Sequence, residues 1–313
     1  MSNNPPPPRL YCILAREAPL GVIFRRGPTR MVQIVLWNTD TDEFIQGQWL
    51  KGTIYERRGD LSPDGKYMIY FAANRRTKVH QEGTWTAISR PPYLTALALW
   101  WKGDSYGGGG LFLDKRTVGL NDAYENDHRP SSKFPKPPIK VDLLHLGSGE
   151  DWPVERARLE RDGWRTVQEM KYRERPRVLL PAEFEPGSPE AIQWVTDRYA
   201  EIDLIDRGNW TQEPYIREKS RDGISLICTE SIKAYRNVEL FHLRAEDGRE
   251  RRLGKITWAD WDRRGRIVYT ANGGVYALSP KDALDTENKG ACLADFTGTT
   301  FSPMKAPDWA TRW

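Results

Sequence analysis

The chain has 313 residues, 39% of them hydrophobic and 29% charged, enough apolar material to bury a full core. Its 47 Lys and Arg stand against 43 Asp and Glu, so the net charge is +4, and such a mixed surface does not call for a nucleic-acid partner. The longest near-apolar run, Leu94 to Trp101, is too short to span a bilayer and excludes a helical membrane anchor built on it.

Residues 1–8, ending in Pro5-Pro6-Pro7-Pro8, read as a proline-rich disordered tail and lack the charged and apolar regions of a secretory signal. From Arg9 the pattern is β. Met31 to Trp37, a polar turn over Asn38 to Asp42, and Phe44 to Leu50 read as a hairpin. Leu61-Ser62-Pro63-Asp64-Gly65-Lys66 is a turn: Pro63 presets φ, Asp64 can accept from the backbone two residues on, and Gly65 tolerates positive φ. The run Tyr67 to Phe71 that follows is aromatic and aliphatic, a strand. Gly107 to Gly110 reads as a flexible entry into Leu111-Phe112-Leu113, since no Lys-Ser/Thr follows to make a phosphate loop. Asp127 to Pro138 reads as a surface loop, and Asp151 to Tyr172 as a hairpin; the alternative is a helix, with Val154, Ala157, Leu159 and Val167 loosely spaced, but Gly163 interrupts that pattern. Glu183 to Glu190 is turn-rich. Turn-plus-strand units then return at Arg221-Asp222-Gly223, Arg263-Arg264-Gly265 and Asn272-Gly273-Gly274, the last a strong type I′ hairpin signal.

With Gly65, Gly110, Gly163, Gly223 and Gly265 as anchors, the spacings are 45, 53, 60 and 42 residues, the range of four-stranded propeller blades. Ser62-Pro63-Asp64-Gly65-Lys66 with its strand resembles the repeat of TolB-type and WD-repeat-like β-propellers. Trp258-Ala259-Asp260-Trp261-Asp262-Arg263-Arg264-Gly265-Arg266 resembles the same repeat without Pro-Asp, and no Gly-His…Trp-Asp pair of true WD repeats is present. The resemblance implies a single β-propeller over residues 9–313, of about five or six four-stranded blades, with Ala294 to Trp309 completing a blade begun near Arg9. An irregular β-sandwich is the alternative. TolB-type proteins are exported, but the missing signal and the odd, widely spaced Cys12, Cys228 and Cys292 point to reduced thiols and a cytoplasmic setting.

No catalytic or metal motif accompanies this architecture. His80, His128, His145 and His242 share no zinc spacing, and Asn38 to Asp42 lacks the Gly and Glu of a calcium loop. No cofactor is expected. The feature left for function is Leu99 to Gly107, where adjacent Trp100 and Trp101 on one strand must point to opposite faces. One is core; the other, with Asp104 and Tyr106, is the candidate contact for another protein, the glycines letting a partner backbone approach. The expected function is therefore a non-catalytic scaffold for protein–protein interaction. The alternative is a glycosidase-like hydrolase using Asp104, Asp260 and Asp262 in a central funnel. With no ligand set in the sequence, chelator should leave the melting temperature unchanged; a drop of several degrees in a thermal scan with excess EDTA would reveal a structural metal.

Overall fold

The computed structural model describes residues 6–27, 30–74, 83–122, 128–147, 151–172, 181, 183–185, 187–206, 211–233 and 236–313. Among the described residues it is mostly β, with six sheets and two α-helices. The chain divides into two compact units: Met1–Trp164 with Lys255–Trp313, and Arg165–Gly254.

In the larger unit, β1 (Arg9–Leu14), β2 (Leu20–Arg26), β3 (Met31–Asn38) and β4 (Glu43–Lys51) form an antiparallel meander. A second meander comprises β5 (Thr53–Leu61), β6 (Met68–Ala73), β7 (Thr84–Ser89) and β8 (Ala96–Trp101). β9 (Gly110–Phe112) and β10 (Thr117–Asn121) start a third sheet, and a two-residue strand, β11 (Arg129–Pro130), returns to the edge of β8. β12 (Lys140–Leu144) then lies parallel to β10. After helix α1 (Trp152–Arg161), this unit resumes late in the chain with the meander β20 (Trp258–Trp261), β21 (Ile267–Ala271), β22 (Gly274–Leu278) and β23 (Ala291–Asp295).

The sheets stack through their faces, which explains why several strands are apolar without alternation. On β6, Met68, Tyr70 and Ala72 join a cluster with residues of the first and last meanders, including Ile23, Trp37, Trp258 and Val275. Ile69, on the opposite face, joins Ile88, Ala98, Trp100, Phe112, Val118 and Leu120, a cluster shared with the third sheet. A strand covered on both sides has no water-facing row to fill with polar residues.

The Ser62–Lys66 turn forms as its residues predict. Gly65 sits at φ 72° and donates its N–H to the Ser62 carbonyl, and the Asp64 carboxylate accepts from the Lys66 N–H at 3.2 Å. At Asp262–Arg266 the Asp262 carboxylate performs the same office, accepting from the Arg266 N–H at 2.8 Å while Gly265 donates to the Asp262 carbonyl. Asn272 and Gly273 both have positive φ and close the predicted type I′ hairpin.

The predicted hairpin at Asp151–Tyr172 is corrected: its first half is helix α1. Pro153 stands in the first turn, where its missing N–H costs nothing, and Gly163 at φ 93° follows the helix, so it marks the helix end rather than counting against a helix. The helix docks on an irregularity in β5, where Glu56, Arg57, Arg58 and Gly59 together lie opposite Tyr70 alone. That bulge turns charge inward. Glu155 accepts from Arg57 at 2.7 Å and from the Tyr11 hydroxyl at 2.8 Å, and Arg158 donates to the Tyr11 hydroxyl and the Gly59 carbonyl. Arg161 grips Asp60 with both terminal nitrogens, at 2.6 and 3.0 Å. Burial pushes the Tyr11 hydroxyl well above its ordinary pKa, with Glu155 adding to the shift and Arg158 opposing it, so Tyr11 serves as a neutral hydrogen-bond bridge.

The smaller unit holds the antiparallel sheet β13 (Arg165–Gln168), β16 (Tyr215–Arg221), β17 (Ile224–Lys233), β18 (Arg236–Ala245) and β19 (Glu250–Arg252), in that order. β14 (Lys171–Tyr172) pairs with β15 (Thr211–Glu213), and helix α2 (Pro189–Asp206) starts inside the stretch read as turn-rich. Ser188 caps that helix by accepting the Ala191 N–H, with Pro189 in the first position. Asp222 and Gly223, both at positive φ, make the tight turn from β16 to β17.

The expectation that Ala294–Trp309 completes a sheet begun at Arg9 is also corrected. β23 pairs with β22 and, among the described residues, β1 pairs only with β2. Residues 296–313 instead run as a strap across three meanders. The buried Arg25 guanidinium donates to the carbonyls of Phe296 and Thr299, Gln48 donates to the Met304 carbonyl at 3.0 Å, and Arg90 donates to the Arg312 carbonyl at 3.0 Å. Phe296 joins the first core cluster and Trp313 packs against the second. Deleting residues 296–313 should lower the melting temperature by 5 °C or more, roughly 2 kcal/mol or above for a chain of this size. Trp309→Ala, whose ring is 57% exposed, should shift it by no more than about 1–2 °C. Equal shifts for the two variants in differential scanning calorimetry would reject the strap as a stabilising element.

Candidate functional site

Trp100 and Trp101 lie at the end of β8 and, as alternation requires, face opposite ways. Trp101 meets Trp85 edge-on, with ring centroids 6.2 Å apart. Trp100, 7% exposed, is in the cluster between the second and third sheets and forms part of a groove wall. The groove, of about 640 Å³, is bounded by Trp100, Phe134, Ile139 and Val141, with Pro130, Pro135 and Pro137 along one side. It exists because β8 is an edge strand that receives only a short partner: Arg129 and Pro130 pair with Trp101 and Trp100, and the Ser131 N–H donates to the Leu99 carbonyl at 2.9 Å. The chain then leaves β8 and crosses to β10, where β12 begins. Proline at 130, 135, 137 and 138 removes backbone donors along this crossing, so it cannot zip onto β8 and fill the space.

The groove has a sign as well as a shape. Residues 129–140 contain Arg129, Lys133, Lys136 and Lys140 and no carboxylate. Lys136 and Lys140 line the groove and are exposed, and Lys140 also pairs with Asp142 at 2.8 Å.

Of the four residues singled out from the sequence, only Trp100 reaches the groove. Asp104 organises the next loop: one oxygen accepts from Lys102 Nζ at 3.1 Å and from the Tyr106 N–H at 2.8 Å. The Thr84 hydroxyl donates to the Asp104 carbonyl and accepts the Gly103 N–H. Tyr106 is 59% exposed. The glycine run beside it is buried, and it admits this chain's own backbone. A Cβ on Gly109 would stand 2.1 Å from the Arg58 carbonyl oxygen, and one on Gly108 would stand 2.5 Å from the Phe71 ring. The reading of Gly107–Gly110 as a flexible entry, open to a partner, is thus corrected to a packed one.

A buried polar cluster escaped the sequence reading altogether. Thr86 Oγ1 accepts the Gly109 N–H at 2.9 Å and lies 3.0 Å from His128 Nε2. On the other side of the ring, His128 Nδ1 is 3.6 Å from an Asp122 oxygen. The order Thr–His–Asp resembles a hydroxyl-activating relay, but Thr86 is fully enclosed, so no substrate reaches its oxygen. The cluster instead anchors Gly109 and the start of the crossing. His128 lies inside the segment read as a surface loop, and its burial corrects that reading at this residue; Asp127 is outside the described residues.

The acids considered for hydrolysis are engaged one by one in local structure. Asp260 accepts from the Trp261 N–H at 2.7 Å and from the Trp164 indole at 3.4 Å, and Asp262 is bound to Arg266 at 2.7 Å. Among the described residues, no group of three His, Cys, Asp or Glu side chains is placed to hold a metal ion. None of the three cysteines is in a disulfide, and burial pushes the Cys12 thiol well above its ordinary pKa. No helix among the described residues is long and apolar enough to cross a membrane. No known family model matches the chain, and comparison with characterised proteins finds no significant relative.

Gly109→Ala should cost roughly 3 kcal/mol or more, through both its positive φ and the clash with Arg58, whereas Tyr106→Ala should fall within about 0.5 kcal/mol of the parent. Urea denaturation of the two variants checks this contrast, and a tolerated Gly109→Ala would restore the flexible reading.

Proposed function

We propose that the chain is a single β-propeller, of about five or six four-stranded blades, that works as a non-catalytic scaffold for another protein. The blade-like meanders and the recurrent turns support the architecture. The single observation that carries the binding role is the groove beside Trp100: an apolar floor with an aromatic wall and an exposed cationic rim, formed where two sheets fail to close over each other. Trp100 supplies the buried anchor, Phe134 the half-buried lid edge, and the loop through Trp101, Asp104 and Tyr106 a second, fully formed surface nearby in sequence. Hot spots concentrate where aromatic side chains border a pre-formed apolar hollow. A cytoplasmic setting is in keeping with three cysteines that form no disulfide.

The test is affinity capture of a stoichiometric partner from the native host, repeated with Phe134→Asp. The variant should lose the partner by about 30-fold in affinity, the equivalent of 2 kcal/mol, while its thermal transition stays within a few degrees. Capture that is indifferent to Phe134→Asp would overturn the assignment of the groove. Turnover of a panel of glycosides by the purified chain would overturn the non-catalytic reading in favour of a hydrolase.

A further inference from the structure

Resting on the reading of the Trp100 groove as a protein-binding site, we infer that its occupant is an extended, acidic segment of the partner, bound by adding a strand to the free edge of β12.

The edge follows from the register. β12 is the outermost strand of its sheet, paired on one side with β10 in parallel. The Lys140 N–H donates to the Arg116 carbonyl, and the Leu144 carbonyl accepts from the Asp122 N–H, so Lys140, Asp142 and Leu144 direct their backbone groups toward β10. Val141 and Leu143 therefore direct theirs away from the sheet. Among the described residues, no second strand covers that side. An open row of N–H and C=O groups is a template for another chain, and proteins that leave one uncovered either blunt it or use it.

Among the described residues, nothing blunts this edge. Val141 and Leu143 are apolar, Leu143 is 53% exposed, and the strand carries neither proline nor a bulge. The one lysine on it, Lys140, is held by Asp142. Beside it the groove offers a place for alternate side chains of an added strand, over Trp100, Ile139 and Val141.

Charge selects the occupant. The twelve residues from Arg129 to Lys140 hold four cations and no anion, in a chain whose basic and acidic residues are otherwise nearly balanced. Lys133 and Lys136 are exposed, so their field acts on whatever enters the groove. An extended segment with apolar residues at alternate positions and Asp or Glu between them satisfies the edge, the floor and the rim together. A basic or neutral proline-rich segment satisfies at most one of them, since proline has no N–H to donate.

The experiment uses the full chain and a fluorescein-labelled peptide alternating valine and glutamate, followed by fluorescence anisotropy. Two comparison peptides replace glutamate by lysine, or carry N-methyl groups on alternate backbone amides. The glutamate peptide should bind at least about tenfold more tightly than either, the loss of a charge complement or of one to two strand hydrogen bonds. The double variant Lys133→Glu, Lys136→Glu should reverse the preference between glutamate and lysine peptides. Val141→Pro, which removes an outward N–H and leaves the ladder to β10 intact, should weaken binding by about tenfold. Equal binding of glutamate and lysine peptides overturns the acidic assignment, and undiminished binding of the N-methylated peptide overturns strand addition, independently of how any protein variant folds. If no peptide binds while a native partner is captured in a Phe134-dependent way, this inference fails and the scaffold reading stands. If the peptides behave as stated while partner capture ignores Phe134→Asp, the edge chemistry stands and the functional reading fails.

Discussion

The larger unit is organised around one guanidinium. Arg58 is 1% exposed, and five groups meet its charge: it bonds Asp151 at 3.0 Å and the carbonyls of Ser105 and Gly107 at 2.6 and 2.7 Å, and lies over the rings of Tyr55 and Phe71. A cation removed from water costs several kcal/mol unless its surroundings replace the lost hydration. That demand is what the neighbouring elements answer. The β5 bulge aims Arg58 inward, the glycine-rich loop turns its carbonyls toward it, and the start of helix α1 supplies the carboxylate. Burial raises the pKa of Asp151 while the Arg58 charge opposes that rise, so the pair is maintained by mutual need. The path of the chain just past β8 follows from how this loop is tied down.

What could be read from the residues was local. The Ser62–Lys66 turn, the β3–β4 hairpin and the Asn272-Gly273 turn are decided within a few residues by φ preferences and short side-chain caps, and each stands where the sequence places it. The all-β class follows from the same signals. Helix α1 was missed because its inward face is charged: Glu155 and Arg158 are among its buried residues, so the apolar periodicity that marks a helix is absent. The signals that could have found it were Pro153 near the start and Gly163 just past the end. Helix α2 had a similar clue in Ser188-Pro189.

The site divides in the same way. That one of the paired tryptophans must be buried and the other turned away needs only the alternation of a strand, and Trp100 and Trp101 obey it. The groove needs more: β8, the crossing from 130 to 139 and the parallel strand β12 come together only through tertiary pairing, which no spacing announces. Thr86, Asp122 and His128 meet for the same reason. The cation run at 129–140 was in plain view, but its meaning depended on lying along an open strand edge rather than on a solvated loop.

The strap also bears on how the molecule is made. The bond from Arg25 to the Phe296 carbonyl joins residues 271 positions apart, so the β1–β4 meander keeps an open set of donors until chain far downstream reaches it. Bringing such distant points together costs on the order of 5 kcal/mol of chain entropy before any contact repays it. Until then Arg25 lacks the carbonyls that accept its N–H groups in the finished fold, and the apolar surface that Phe296 covers is open to water. In that interval the β1–β4 meander is open to chaperones or to a neighbouring copy. A segment without regular strand structure, arriving from far along the chain, is what commits the meander to its native form.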